Sequence, residues 1–429
     1  EGKIFASSFL PRDEAYQEAV ATPRQLEKYS PEEQAKIKRA LSIDADDLTV
    51  AIDMETGKTV WRAVEKGKGY FRGMGKRGGW GVSPAYGDGK VFSLGTTGLL
   101  YAYDARTGAK VWESNIGATH ERWEAEKKAS LDKKGAPQSS AHVSLVVADD
   151  VLIVPLFDGG DMGLRGVDTK TGETLWEVPQ ATAKTATPAV WRHEGKAYVL
   201  TATHGGGDFR NGKLRLIDPK DGKVLWTVEK LGNTHFSLAP SEKHVLVNVG
   251  SAQQGHGNAP WMLLGCYELS PQAAKRVWTM PDEPEFRHEA KYEASDWRKY
   301  LIREGRVYYY SRSRQPDGVG MIYEFFILDE ATGKVLARQA GEKSLVNCQL
   351  YLIEDRILQI PDAAHGERFS LQLWTSDPAN LSRMGGQWQP FIGTTAYNVY
   401  MEFPYVDGRL YVRAEDGTVR CLDLRKERK

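Results

Sequence analysis

The residues best suited to chemistry are histidines and carboxylates in glycine-rich stretches. Seven of the nine histidines, His120, His142, His204, His235, His256, His288 and His365, fall on or beside long connections. With Asp158, Asp161, Asp208 and Asn258 nearby in such connections, imidazole, carboxylate and amide groups could hold a metal ion or a polar ligand. The candidate set is therefore Asp158, Asp161, His204, Asp208, His256, Asn258 and His365. The same residues also read as scattered loop positions, and none of the histidine pairs has a ligand spacing such as His-Glu-x-x-His. Two glycine runs, Gly73 to Gly79 and His204 to Gly207, resemble phosphate or oxyanion loops only superficially. Neither fits the Walker pattern or leads into a predicted helix, so each is read as a loop that needs positive φ. Cys266, Cys348 and Cys421 are too far apart for a Cys-x-x-Cys, haem or adjacent-cysteine motif. No catalytic constellation emerges.

Composition excludes some partners. Lys+Arg and Asp+Glu are equal at 57 each, so no global charge draws the chain to nucleic acid or to anionic lipid. No apolar run approaches the ~20 residues of a membrane-spanning helix.

The elements that position these loops come from a repeat. Ala51-Ile-Asp53-Met-Glu-Thr56-Gly57-Lys-Thr-Val-Trp61 returns as Ala102 to Trp112, Gly166 to Trp176 and Leu216 to Trp226. A weaker copy, Ile327 to Ala337, lacks the Trp; degenerate copies end at Trp278 and run from Trp374 to Trp388, and a partial one ends at Asp423. Each phrase predicts a β-hairpin. Asp53, Asp104, Asp168 and Asp218 accept turn amides, and Gly57, Gly108, Gly172 and Gly222 supply positive φ. Trp61, Trp112, Trp176 and Trp226 are placed to lie on a small residue of the neighbouring repeat, each burying roughly 150–250 Å². Two further strands precede each phrase, as in Ser83 to Leu94 and Pro188 to Leu200, which makes four strands per unit.

The phrase Ala-x-Asp-x-x-Thr-Gly-x-x-x-Trp is similar to the tryptophan-docking motif of the PQQ-like (quinoprotein alcohol dehydrogenase-like) β-propeller repeat family. The resemblance covers nearly the whole chain and includes the family's non-enzymatic, BamB-like branch. It implies an all-β, eight-bladed propeller of four-stranded antiparallel blades over residues 1–429, in the periplasm or another extracytoplasmic space. In the family's dehydrogenases PQQ lies between a Trp and a disulfide of adjacent cysteines, with calcium held by Glu, Asn and Asp. This chain lacks adjacent cysteines, and no Glu, Asn and Asp set matches that metal site. The expectation is therefore no cofactor and no catalysis; the alternative is an oxidoreductase similar to alcohol or sugar dehydrogenases, dependent on PQQ with calcium or bound to another cofactor.

The connections divide unequally between the two faces of such a propeller. Turns inside the phrases and between the first two strands of each unit are short. The other connections are long, and function concentrates on loops held by a rigid scaffold. The long-loop face is thus expected to bind a protein partner. Residues 10–46, with capping-box patterns at Thr22 and Ser30, are expected to form a helical insertion in blade one. Blade one lacks an innermost strand and blade eight an outermost one, which a segment upstream of Glu1 is expected to supply.

Overall fold

A computed structural model describes residues 2–11, 30, 44–70, 82–133, 143–157, 162–184, 186–204, 210–234, 237–254, 260–289, 300–314, 321–343, 348–361, 370–389, 403–413 and 419–425. The chain folds as an eight-bladed β-propeller with one antiparallel sheet per repeat. Blade two shows the plan: Ala85–Gly87, Lys90–Leu94, Leu99–Asp104 and Lys110–Asn115 are hydrogen-bonded in sequence order. Blades three to seven also have four strands, although in blade five the short strand His288–Glu289 pairs beside Pro260–Leu269. Blades one and eight have three described strands each.

Two compact units comprise the chain. One holds Glu1–Pro179 with Pro219–Gly222, and the other holds Gln180–Asp218 with Lys223–Lys429. Each unit is cored by the aliphatic and aromatic residues of its own strands. Phe92, Leu100, Leu152 and Val154 are fully buried in the first, and Leu216, Val247, Cys266 and Phe326 in the second.

The repeated phrase folds as its letters dictate. Asp53 Oδ1 accepts the amides of Glu55 and Thr56 and the Thr56 hydroxyl at 3.1, 2.7 and 2.7 Å. Asp104, Asp168 and Asp329 repeat this turn, and the donors hold their carboxyls below the ordinary carboxylate range. Two contacts then join each tryptophan to the turn of the following repeat. The Trp61 indole N–H donates to the Ala105 carbonyl at 3.1 Å, and the same bond recurs from Trp112 to Thr169, Trp176 to Pro219, Trp226 to Ser270 and Trp278 to Glu330. The ring faces lie on Gly108, Gly172, Gly222 and Gly333 for Trp61, Trp112, Trp176 and Trp278. The degenerate copy ending at Trp278 therefore docks like the full ones. Blade seven departs from them: Trp374 is fully buried on a third strand and bonds Gln359, while Trp388 on the fourth strand is 50% exposed.

Two of the long connections are described in part. Leu10 and Pro11 pair with Asp46 and Ala45, so the edges of the expected helical insertion are strand; of 12–43 only Ser30 is described. The charged connection after blade two contains a helix, α1 (Ala118–Lys133). Its Glu and Lys residues have high helix propensity, but its apolar periodicity is too weak to reveal it in the sequence.

The docking contact can be weighed against backbone strain with two glycines. Gly57 (φ +67°) has open space where a Cβ would stand, whereas a Cβ on Gly108 (φ +74°) would lie 2.6 Å from the Trp61 ring. Gly57→Ala should cost about 1 kcal/mol in urea unfolding, and Gly108→Ala about 2–4 kcal/mol. Equal losses would show that the indole does not press on this turn.

Candidate functional site

Of the seven loop residues singled out in the sequence, His204 alone is described; it is half-buried. Asp158, Asp161, Asp208, His256, Asn258 and His365 lie outside the described residues. Among the described residues, no three His, Cys, Asp or Glu side chains converge on a possible metal position.

The best-defined polar constellation on the long-loop side lies in the first unit, under α1. Strand Asp44–Asp53 alternates, and its inward positions include Asp47, Thr49 and Ala51, all buried. Asp47 Oδ1 accepts from the Thr96 amide at 2.9 Å and the Thr96 hydroxyl at 2.8 Å, while Oδ2 accepts from the Tyr101 hydroxyl at 3.1 Å. The Thr96 hydroxyl in turn accepts the Tyr70 amide at 2.9 Å. Gly95 and Gly69 close the space around the carboxylate, since a Cβ on either would stand 2.1 or 2.7 Å from an Asp47 oxygen. No substrate atom fits there. The arrangement is a sealed clasp between blades one and two. The sequence signal was available: an Asp at an inward position of an alternating strand, with glycine on both sides of its destination.

Burial pushes the Asp47 carboxyl above the ordinary range, although the bonds from Thr96 and Tyr101 and the Lys127 charge pull it down. Tyr101 and Tyr103 are pushed well above the usual phenol range, first by burial and then by Asp47 and Glu65 respectively.

Helix α1 sits over this clasp. The Asn115 side chain accepts the Gly117 amide at 2.9 Å, and Gly117 turns the chain at φ +58°. Trp123 is 2% exposed and meets the Phe157 ring at 5.1 Å. His120 Nδ1 lies 2.6 Å from the Thr97 carbonyl, the Lys127 ammonium donates to the Gly67 carbonyl at 2.8 Å, and the Tyr70 hydroxyl donates to Glu126 at 3.3 Å. Glu121, Arg122, Glu124 and Lys128 are left exposed. The result is a helix fixed on its inner side and charged on its outer side.

With this geometry established, comparison with known proteins identifies the family. The family described as "Outer membrane protein assembly factor BamB" matches residues 45–336, well over half of the chain. The chain belongs to this PQQ-like propeller family. Polyvinylalcohol dehydrogenase of Sphingopyxis sp. (strain 113P3) is 27% identical over 211 residues, which make up 43% of this chain and 31% of that protein. The match thus spans about a third of the dehydrogenase. BamB from Moraxella catarrhalis shares the fold at TM-score 0.54 and 14% identity, covering 87% of this chain and 88% of its own. Quinohemoprotein alcohol dehydrogenase from Comamonas testosteroni gives TM-score 0.49 at 14% identity, over 86% of this chain and 68% of that one.

The cysteines of this PQQ-like chain do not fit a lid of two joined neighbours. Cys266, Cys348 and Cys421 stand in blades five, seven and eight, and all three are free thiols. Burial pushes the Cys266 thiol up to about 12. In native protein a thiol reagent should therefore titrate Cys421 quickly, with Cys266 and Cys348 reacting only on unfolding. Fast reaction of two or more native thiols would contradict this burial.

Asp47 supplies a second test. Its folded-state pKa is raised, so its contribution to stability is complete below the unfolded pKa and is lost as pH rises through the folded value. Asp47→Asn removes that ionisation while leaving an acceptor for Thr96. In urea melts between about pH 4 and about pH 7 the variant should gain on the wild type as pH rises. Parallel pH profiles would exclude a buried, titrating Asp47.

Proposed function

We propose that this PQQ-like propeller is a non-catalytic, extracytoplasmic scaffold that binds a protein partner through its long-loop face. The observation that carries the reading is α1. It is anchored through Trp123, His120, Glu126 and Lys127, and it presents Glu121, Arg122, Glu124 and Lys128 to solvent. A preorganised charged surface favours recognition of a complementary partner, because little side-chain and loop entropy remains to be lost. Membership of a family described by an outer-membrane assembly factor supports the same reading. So does the sealing of Asp47, a carboxylate enclosed by Gly69 and Gly95. Among the described residues, no helix is long and apolar enough to cross a membrane.

One observation favours a second reading, a PQQ-dependent or other cofactor-bound oxidoreductase: the local 27% identity to polyvinylalcohol dehydrogenase. Titration with PQQ and calcium, followed by absorbance and calorimetry, separates the two readings. The scaffold reading expects no saturable binding and no dye reduction with alcohols. It also expects Glu121→Lys with Glu124→Lys to weaken a copurifying complex roughly tenfold at an unchanged melting temperature. Saturable PQQ binding with alcohol-dependent dye reduction would replace the scaffold by the enzyme.

A further inference from the structure

The repeat is broken in two places that meet. In blades two, three, four, six, seven and eight the turn between the first two strands carries a non-glycine residue at positive φ: Asp88, Asp149, Glu194, Glu304, Glu354 and Asp407, at 50, 56, 49, 54, 52 and 49°. In blade five the corresponding turn, Ser241 to His244, leads directly into the strand His244–Gln254; it is fully described and has no positive φ. It is closed instead by the Ser241 hydroxyl, which accepts the His244 amide at 2.9 Å. The second break is at the position whose carbonyl receives the docking indole. Ala105, Thr169, Pro219 and Ser270 occupy it elsewhere, and Glu330 occupies it in blade six.

The two departures bond each other. Glu330 Oε1 accepts from the Ser241 hydroxyl at 2.6 Å and lies 2.9 Å from His244 Nδ1. The Glu330 side chain is 13% exposed, and its Oε2 has no partner among the described residues. Beside it a cavity of ≈ 310 Å³ opens on the short-turn side of the second unit. Its polar lining includes Glu242, Lys243, Arg303 and Glu304. No ion pair joins these four among the described residues; Arg303 Nη1 donates to the Ile302 carbonyl at 2.9 Å.

We propose that this cavity binds a guanidinium or primary ammonium group of side-chain size. Three carboxylates (Glu242, Glu304 and Glu330) face two cations (Lys243 and Arg303), so the lining is net acidic. Glu330 is held in place by two donors on one oxygen, which leaves the other preorganised for a charge-assisted bond. The volume lies at the lower end of small-ligand sites and suits one basic side chain or small amine. The site lies wholly within the second unit, and the proposal does not rest on the scaffold reading drawn from α1.

Arginine amide tests the proposal as a free cation, and an acetyl-Gly-Arg-Gly-amide peptide tests it as a basic side chain of a protein. Binding is read from the His244 ring and Trp278 indole resonances of the full chain. Saturable shifts with at least one probe are expected, and the tighter probe identifies the source of the group. Glu330→Gln keeps an Oε1 acceptor for Ser241 and His244 but turns Oε2 into an amide donor. It should weaken binding roughly tenfold or more. Lys243→Ala removes a like charge and should tighten binding roughly two- to fivefold, an effect that a merely structural role would not produce. If Glu330→Gln fails to fold, Lys243→Ala decides alone. No saturable shift up to roughly 50 mM of either probe, unchanged affinity in folded Glu330→Gln, or weaker binding in Lys243→Ala would overturn the proposal.

Discussion

The fold depends on one compound contact, an indole pressed on the positive-φ glycine of a neighbouring turn while its N–H donates to a carbonyl in that turn. Four tryptophans make both halves, and Trp226 makes the hydrogen bond to Ser270 without a glycine beneath its ring. The ring face supplies apolar burial, and the single N–H fixes the ring against one carbonyl, so register between repeats is set together with cohesion. Glycine is required for two separate reasons at Gly108: the backbone is left-handed, and the ring occupies the place of a side chain. At Asp53, Asp104, Asp168 and Asp329 the aspartate that heads the turn, satisfied by two or three donors, holds the loop in shape.

Because the girdle contact is repeated, individual turns and connections are free to diverge. The stretch between blades two and three became α1, locked by Trp123 against Phe157 and by polar bonds to Thr97 and Gly67. Blade five exchanged its left-handed turn for a serine-closed one, and blade six placed Glu330 where small or uncharged residues stand elsewhere. The polar groups so introduced follow two different rules. Asp47 is fully enclosed and bonded, which makes it structural and sets a cost on its charge. Glu330 is bonded on one oxygen only and borders open space, the arrangement of a group with remaining capacity to bind.

Function in this family is thus separable from fold. The chain matches a family described by an assembly factor and, over part of its length, one dehydrogenase, so membership of the fold does not by itself decide between binding and catalysis. What distinguishes one task from another lies in connections such as α1 and in local breaks of the repeat.

The sequence by itself determined the hairpins and the number of blades. These depend on local turn chemistry and on a spacing that recurs. It also raised the expectation of a long-loop side, read from which connections between strands are short. Only the tertiary structure decided the rest. The helix Ala118–Lys133 has too little apolar periodicity to announce itself and is held by contacts from 23 to 60 residues away in sequence, such as His120 with Thr97 and Lys127 with Gly67. Trp374 and Trp388 both carried the letter of a docking residue. Their strand positions made one a core residue bonded to Gln359 and left the other exposed. Asp47 and Glu330 were two carboxylates among 57 acidic residues in the sequence. One became a sealed clasp and the other borders an open cavity because burial and hydrogen-bond partners are properties of neighbours, which only the packed blades bring together.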